Sequence, residues 1–96
     1  MPAYVIAQLT VTNSEGFENY RQAVEPIIEA HGGRFLVRGG EIASLEGEPG
    51  RPRMIMIEFP DTAAAERFYK SPEYQAVLPL RLNNSTGTVI VVEGGV

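Results

Sequence analysis

The chain has no cysteine, which excludes disulfides, thiolate metal sites and a cysteine nucleophile. A single histidine and the lack of any HxxxH spacing leave no zinc-binding pattern. Basic charge is also scarce. Eight lysines and arginines are scattered among twelve acids, and the net charge of −4 argues against nucleic acid, because phosphate binding needs a basic face. No apolar run approaches the ~20 residues of a membrane span. The opening MPAYVIAQLT lacks the charged and long apolar segments of a secretory leader, so a cytoplasmic location and no membrane partner are expected.

What remains is ordinary globular material: 96 residues, 44% hydrophobic and 21% charged. A chain of this size forms one domain, here 1–96, and buries roughly 60 to 65% of its unfolded surface. The most informative stretch is Arg53 to Asp61, RMIMIEFPD. Successive strand side chains point to opposite faces, so the unbroken apolar run Met54 to Ile57 requires both faces of this strand to be covered.

Ala3 to Val11 reads as a first strand, with Val5, Ala7, Leu9 and Val11 on one apolar face. Asn13 or Ser14 caps a helix in which Phe17, Tyr20, Val24, Ile27, Ile28 and His31 share a face, and Gly32 and Gly33 end it. Pro26 removes a mid-helix donor and predicts a bend or a division there. Residues 34 to 46 read as one long strand bent at Gly39 and Gly40, and GEPGRP at 47 to 52 as the hairpin connection into the Arg53 strand. That connection predicts a register placing Glu58 near Gly40 and diagonal to Arg38. Asp61 caps a helix over Thr62 to Lys70 that buries Ala65, Phe68 and Tyr69. Ser71 and Pro72 start another, to about Leu78, whose buried face carries Tyr74, Val77, Leu78 and Arg81. A last strand runs from Thr86 to Glu93.

Strand, helix, strand, strand, helix pair, strand is the ferredoxin-like split βαβ plan, an α+β fold with a four-stranded antiparallel sheet and helices on one face. The other face would expose apolar residues of TVIVV and MIMI, a patch larger than a monomer usually tolerates. A second copy packed sheet to sheet about a two-fold axis covers it, so a homodimer with a barrel-like core is expected.

HGGRFLVRGG at 31 to 40, IEFPD at 57 to 61, and SPEYQ at 71 to 75 followed by Arg81 resemble the bacterial domain-of-unknown-function family 1330 of the dimeric α/β-barrel superfamily. The resemblance covers nearly the whole chain and implies the same fold and dimer. It implies little about chemistry. Two positions depart from the family pattern: Ser14 where proline commonly begins the first helix, and Phe68 where tryptophan is common. The second alters any pocket lined by that ring.

Six residues are the candidate ligand-binding set: Arg38, Glu58, Arg81, Tyr20, His31 and Tyr74. Arg38 is placed to clamp a carboxylate or enolate while Glu58 takes a proton, against the simpler reading of a structural ion pair. Arg81 continues an apolar helix face, so its guanidinium either enters the space between helices and sheet or snorkels to solvent. His31 has a pKa suited to acid–base work, yet sits where it would cap helix carbonyls. Buried tyrosines mostly pack a ring and bond an oxygen. Gly39 and Gly40 open no helix and make no phosphate loop, so no cofactor is expected. The expected function is binding of a small anionic or aromatic metabolite in a cleft between helices and sheet. The alternatives are a cofactor-independent monooxygenase or isomerase of the dimeric α/β-barrel type, by fold analogy, and a non-catalytic structural or regulatory module.

Overall fold

Alternation decides the centre of the sheet. The computed structural model describes residues 1–94. In β1 (Ala3–Val11), Ala3, Val5, Ala7 and Leu9 are buried while the intervening side chains are only partly covered. β1 lies between β3 (Arg53–Phe59) and β4 (Ser85–Glu93), and β2 (Arg34–Arg38) forms the outer edge beside β3. All neighbours are antiparallel, and the strand order is β2-β3-β1-β4. This is the expected ferredoxin-like α+β fold.

One face of the sheet is covered by three helices. α1 (Ser14–Ala30) starts at Asn13, whose side-chain oxygen accepts from the Gly16 N–H, and α2 (Thr62–Lys70) starts at Asp61 accepting from Ala64. α3 (Pro72–Leu82) starts at Ser71, whose hydroxyl accepts from the Tyr74 N–H with Pro72 in the first turn. Phe17, Val24, Ile28, Phe59, Phe68 and Leu78 form the apolar body between helices and sheet.

Five expectations need correction. Pro26 does not divide α1: it is on the exposed side, where water can satisfy the carbonyl left without a partner. α3 likewise continues past Leu78 through an exposed Pro79, and the Asn83 N–H closes the last turn on the Pro79 carbonyl. Residues 39 to 52 are a loop rather than a continued strand. Extending β2 needs ladder donors preceding Arg53, where Pro52 and Pro49 have none, and Gly39, Gly47 and Gly50 adopt positive φ. The strand irregularity sits between Phe35 and Val37, not at the glycine pair, and Arg34 faces Glu58. Tyr69, finally, is 40% exposed rather than buried.

On the face away from the helices, Ile6 lies between Met56 and Ile90, and Tyr4 between Glu58 and Val92. Ile90 and Val92 are 49% and 42% exposed, and Val37 also reaches solvent. Arg51 spans one end of this face, donating from Nη1 to the hydroxyls of Thr10 and Thr86, each at 3.1 Å.

Candidate functional site

The helices do not close completely on the sheet. A cavity of about 250 Å³ lies between them. Its floor is apolar, from Val5, Ala7, Ile57 and Val89, and its roof carries Tyr20 from α1 and Tyr74 and Arg81 from α3. Arg21, Glu66, Tyr69 and Lys70 line it and also reach solvent, marking its mouth between α1 and α2.

Tyr74, Leu78 and Arg81 follow one another at spacings of four and three, so α3 presents all three to the interior. The Tyr20 and Tyr74 hydroxyls are 2.9 Å apart, and Arg81 Nε donates to the Tyr74 oxygen at 3.4 Å. Tyr74 is held further by ring contacts with Phe68 and Tyr69, centroids 4.5 and 5.3 Å away. The Arg81 backbone carbonyl accepts from the Ser85 hydroxyl, which fixes the end of α3 to the start of β4.

Arg81 is only 7% exposed. The ion pairs among the described residues join Arg21 to Glu18, Arg34 to Glu58 and Arg38 to Glu25, so Arg81 has no carboxylate partner there. Its terminal nitrogens make no hydrogen bond to the described residues and neither is sealed from solvent, and Arg81 is among the residues that line the cavity. Burial disfavours the charged guanidinium, but Tyr74, with Tyr20 and Tyr69 behind it, more than offsets this and leaves its pKa above the ordinary value. Burial, followed by the neighbouring Tyr74 phenol, pushes the Tyr20 hydroxyl far above the usual tyrosine range and keeps it protonated.

Of the six residues singled out in the sequence, Tyr20, Tyr74 and Arg81 therefore come together. The other three do not join them. Arg38 pairs with Glu25 at 3.1 Å and lies over the Phe35 ring at 4.3 Å. Glu58 accepts from Arg34 at 2.8 Å on the opposite face of the sheet. The predicted Arg38 and Glu58 pair does not exist, because the register is set by a longer loop than the hairpin assumed. His31 holds the end of α1: Nδ1 is 2.9 Å from the Ile27 carbonyl and its ring meets Phe68 edge-on. Of the mouth residues Glu66, Tyr69 and Lys70, only Tyr69 was anticipated, as a buried residue of this helix. Their spacing of three and four along α2 was the available signal.

No group of three or more His, Asp or Glu side chains suited to a metal occurs among the described residues. No helix among them is long and apolar enough to cross a membrane.

Several solved structures share this architecture. One is a protein of unknown function from Rhodopseudomonas palustris, 17% identical, with a TM-score of 0.78 over 97% of this chain and 82% of that one. SnoaB, a cofactor-independent oxygenase from Streptomyces nogalater, is 13% identical with a TM-score of 0.65, covering 98% of this chain and 93% of that one. A dimeric ferredoxin-like protein of unknown function from Jannaschia sp. CCS1 is 17% identical with a TM-score of 0.64 over the full length of both chains. At these identities the likeness shows the fold. No curated protein matches the chain. The family model described as Domain of unknown function (DUF1330) matches residues 2–95.

Proposed function

Because the chain belongs to the DUF1330 family, whose name assigns no reaction, we propose a function from its cleft: a small cytoplasmic homodimer that binds an anionic, ring-containing metabolite in each one-domain subunit. The observation that carries this reading is Arg81, a guanidinium buried without a carboxylate beside a cavity of about 250 Å³. A buried charge is costly unless paired, and an entering anion supplies the missing partner. The apolar floor suits a ring, and a cavity of roughly 150 Å³ is enough for benzene.

The dimer rests on the sheet face that carries Ile6, Met56, Ile90 and Val92. Packing two such faces about a two-fold axis removes them from water, and about 800 Å² per subunit would match a standard interface. The dimeric protein from Jannaschia sp. CCS1, which has the same fold, supports this arrangement. A second reading, cofactor-independent oxygenation, draws on the likeness to SnoaB. It shares the cleft and adds a reaction to it.

Titration with para-nitrobenzoate tests the binding reading. A charge-assisted hydrogen bond contributes about 1.5–3 kcal/mol, so Arg81→Met should weaken binding by roughly ten- to a hundredfold. Equal binding by the variant and the parent would refute it. Native mass spectrometry of the same samples reads the dimer directly.

A further inference from the structure

Donors outnumber acceptors around the cavity. Tyr20 and Tyr74 have two hydroxyl protons, and the bond between them uses one. Arg81 Nε–H also donates to the Tyr74 oxygen. One hydroxyl proton and the Arg81 Nη protons are left without an acceptor among the described residues. Of the other titratable groups on the lining, α1 contributes Arg21, which is held by Glu18, and α2 contributes Glu66, Tyr69 and Lys70 at the exposed mouth. The sheet contributes only apolar side chains. The inner end of the cavity is therefore rich in donors, and its only side-chain acceptors are the two phenol oxygens.

The arrangement also discriminates among anions. A carboxylate is gripped best by the side-on fork of Nε–H and the adjacent Nη–H. Here Tyr74 occupies the Nε half of that fork. A planar guanidinium holds the remaining Nη–H of that edge alongside the phenol, so a single oxygen seated there takes one proton from arginine and one from the tyrosine pair. Two donors on one oxygen is the arrangement that stabilises concentrated negative charge.

We infer that the cleft takes its ligand as the oxyanion of an acidic hydroxyl, a phenolate or enolate on an apolar ring, held by an Arg81 Nη–H and a tyrosine hydroxyl. This deepens the anion-binding reading above and rests on it. The neutral form of the same ligand brings a proton into a site whose only side-chain acceptors are weakly basic phenol oxygens, so the bound hydroxyl is more acidic than the free one. The raised pKa of Tyr20 agrees with this, because burial holds its donor proton in place. A preference of about tenfold for the anion corresponds to a fall of one unit in the ligand's pKa.

The probe is para-nitrophenol, whose anion is yellow, titrated with the full-length protein over a series of pH values. Absorbance of the bound fraction should show a pKa lower than in solution by about one unit or more. Tyr20→Phe and Tyr74→Phe should each shrink that shift and Arg81→Met should remove it, with the circular dichroism spectrum retained. Para-nitroanisole, which has no proton to lose, should bind about tenfold more weakly than the anion or worse. If para-nitrobenzoate binds in an Arg81-dependent way while bound para-nitrophenol keeps its solution pKa, the oxyanion inference is overturned and the anion cleft stands. Failure of both anions to bind overturns both. Should Arg81→Met not fold, a shift unchanged in both tyrosine variants overturns the inference.

Discussion

Replacing Arg81 by methionine should make the empty protein more stable. The side chain is 7% exposed and its nearest polar partner is a phenol 3.4 Å away, so no opposite charge among the described residues repays the loss of water around it. Exchanging a buried ion for an apolar group of similar volume stabilises proteins by about 1–4 kcal/mol. Methionine keeps most of the arginine stem's volume and adapts to an irregular wall. Against that gain stands the hydrogen bond to Tyr74, which at its long distance falls at the low end, about 1.5 kcal/mol, for bonds to charged groups. Tyr74 stays bonded to Tyr20, so no buried oxygen is orphaned. Taking about 1.5 from about 1–4 kcal/mol leaves a net expectation centred on a gain of about 1 kcal/mol, a rise in Tm of roughly 4–8 °C for a domain of this size. The assay is urea unfolding at fixed protomer concentration, because in the proposed dimer dissociation and unfolding would be linked. Adding an anionic ligand at about a hundred times its Kd stabilises the parent by about 2.7 kcal/mol and should reverse the order. A variant less stable than the parent by more than about 1 kcal/mol would show that Arg81 is a structural keystone, and the argument from its missing partner would fail.

Tyr20 predicts an alkaline limb of instability. Its folded pKa lies above its unfolded value of about 10, so in that range the unfolded chain holds fewer protons and stability falls as pH rises, by up to about 1.4 kcal/mol per unit. Tyr20→Phe should flatten this dependence in unfolding curves from about pH 9 to 11; an unchanged slope would refute the assignment. Ile6→Glu places a charge in the middle of the Met56, Ile6, Ile90 row, and size-exclusion chromatography should show monomer in place of dimer. A dimer that survives this change pairs through another surface. Glu58→Gln and Arg38→Ala touch exposed or half-exposed pairs away from the cavity, so each should shift stability by less than about 1 kcal/mol and leave para-nitrobenzoate affinity unchanged. Loss of binding in either would return Arg38 or Glu58 to the site.

Local chemistry was legible, and distances along the chain limited the rest. Asn13, Asp61, and Ser71 followed by Pro72 announce helix starts through side-chain oxygens and one ring, and all three cap as expected. Alternation in Val5, Ala7 and Leu9 marked the covered face of β1, and the spacing of Tyr74, Leu78 and Arg81 marked the inner face of α3. Arg38 and Glu58 were misplaced because pairing across β2 and β3 depends on how many residues the loop at 39–52 consumes, which local pattern does not encode. The alternating apolar residues between Glu41 and Glu46 look like a strand, but no neighbouring strand offers them a ladder. Tyr20 and Tyr74 were each visible as buried-face residues. Their contact, bridging two helices 54 residues apart in the chain, was not.

The position of β1 also governs how the molecule is made. Of the four strands, the first in the chain is central and its two neighbours follow it, β4 last of the four. Pairing nearly opposite ends of the chain is entropically slow and leaves apolar edges open meanwhile. Val89 and Val91 of that last strand also line the cavity. The cleft thus has no complete wall until the final strand docks, so a metabolite cannot template the early steps of folding; it can only hold a finished subunit closed.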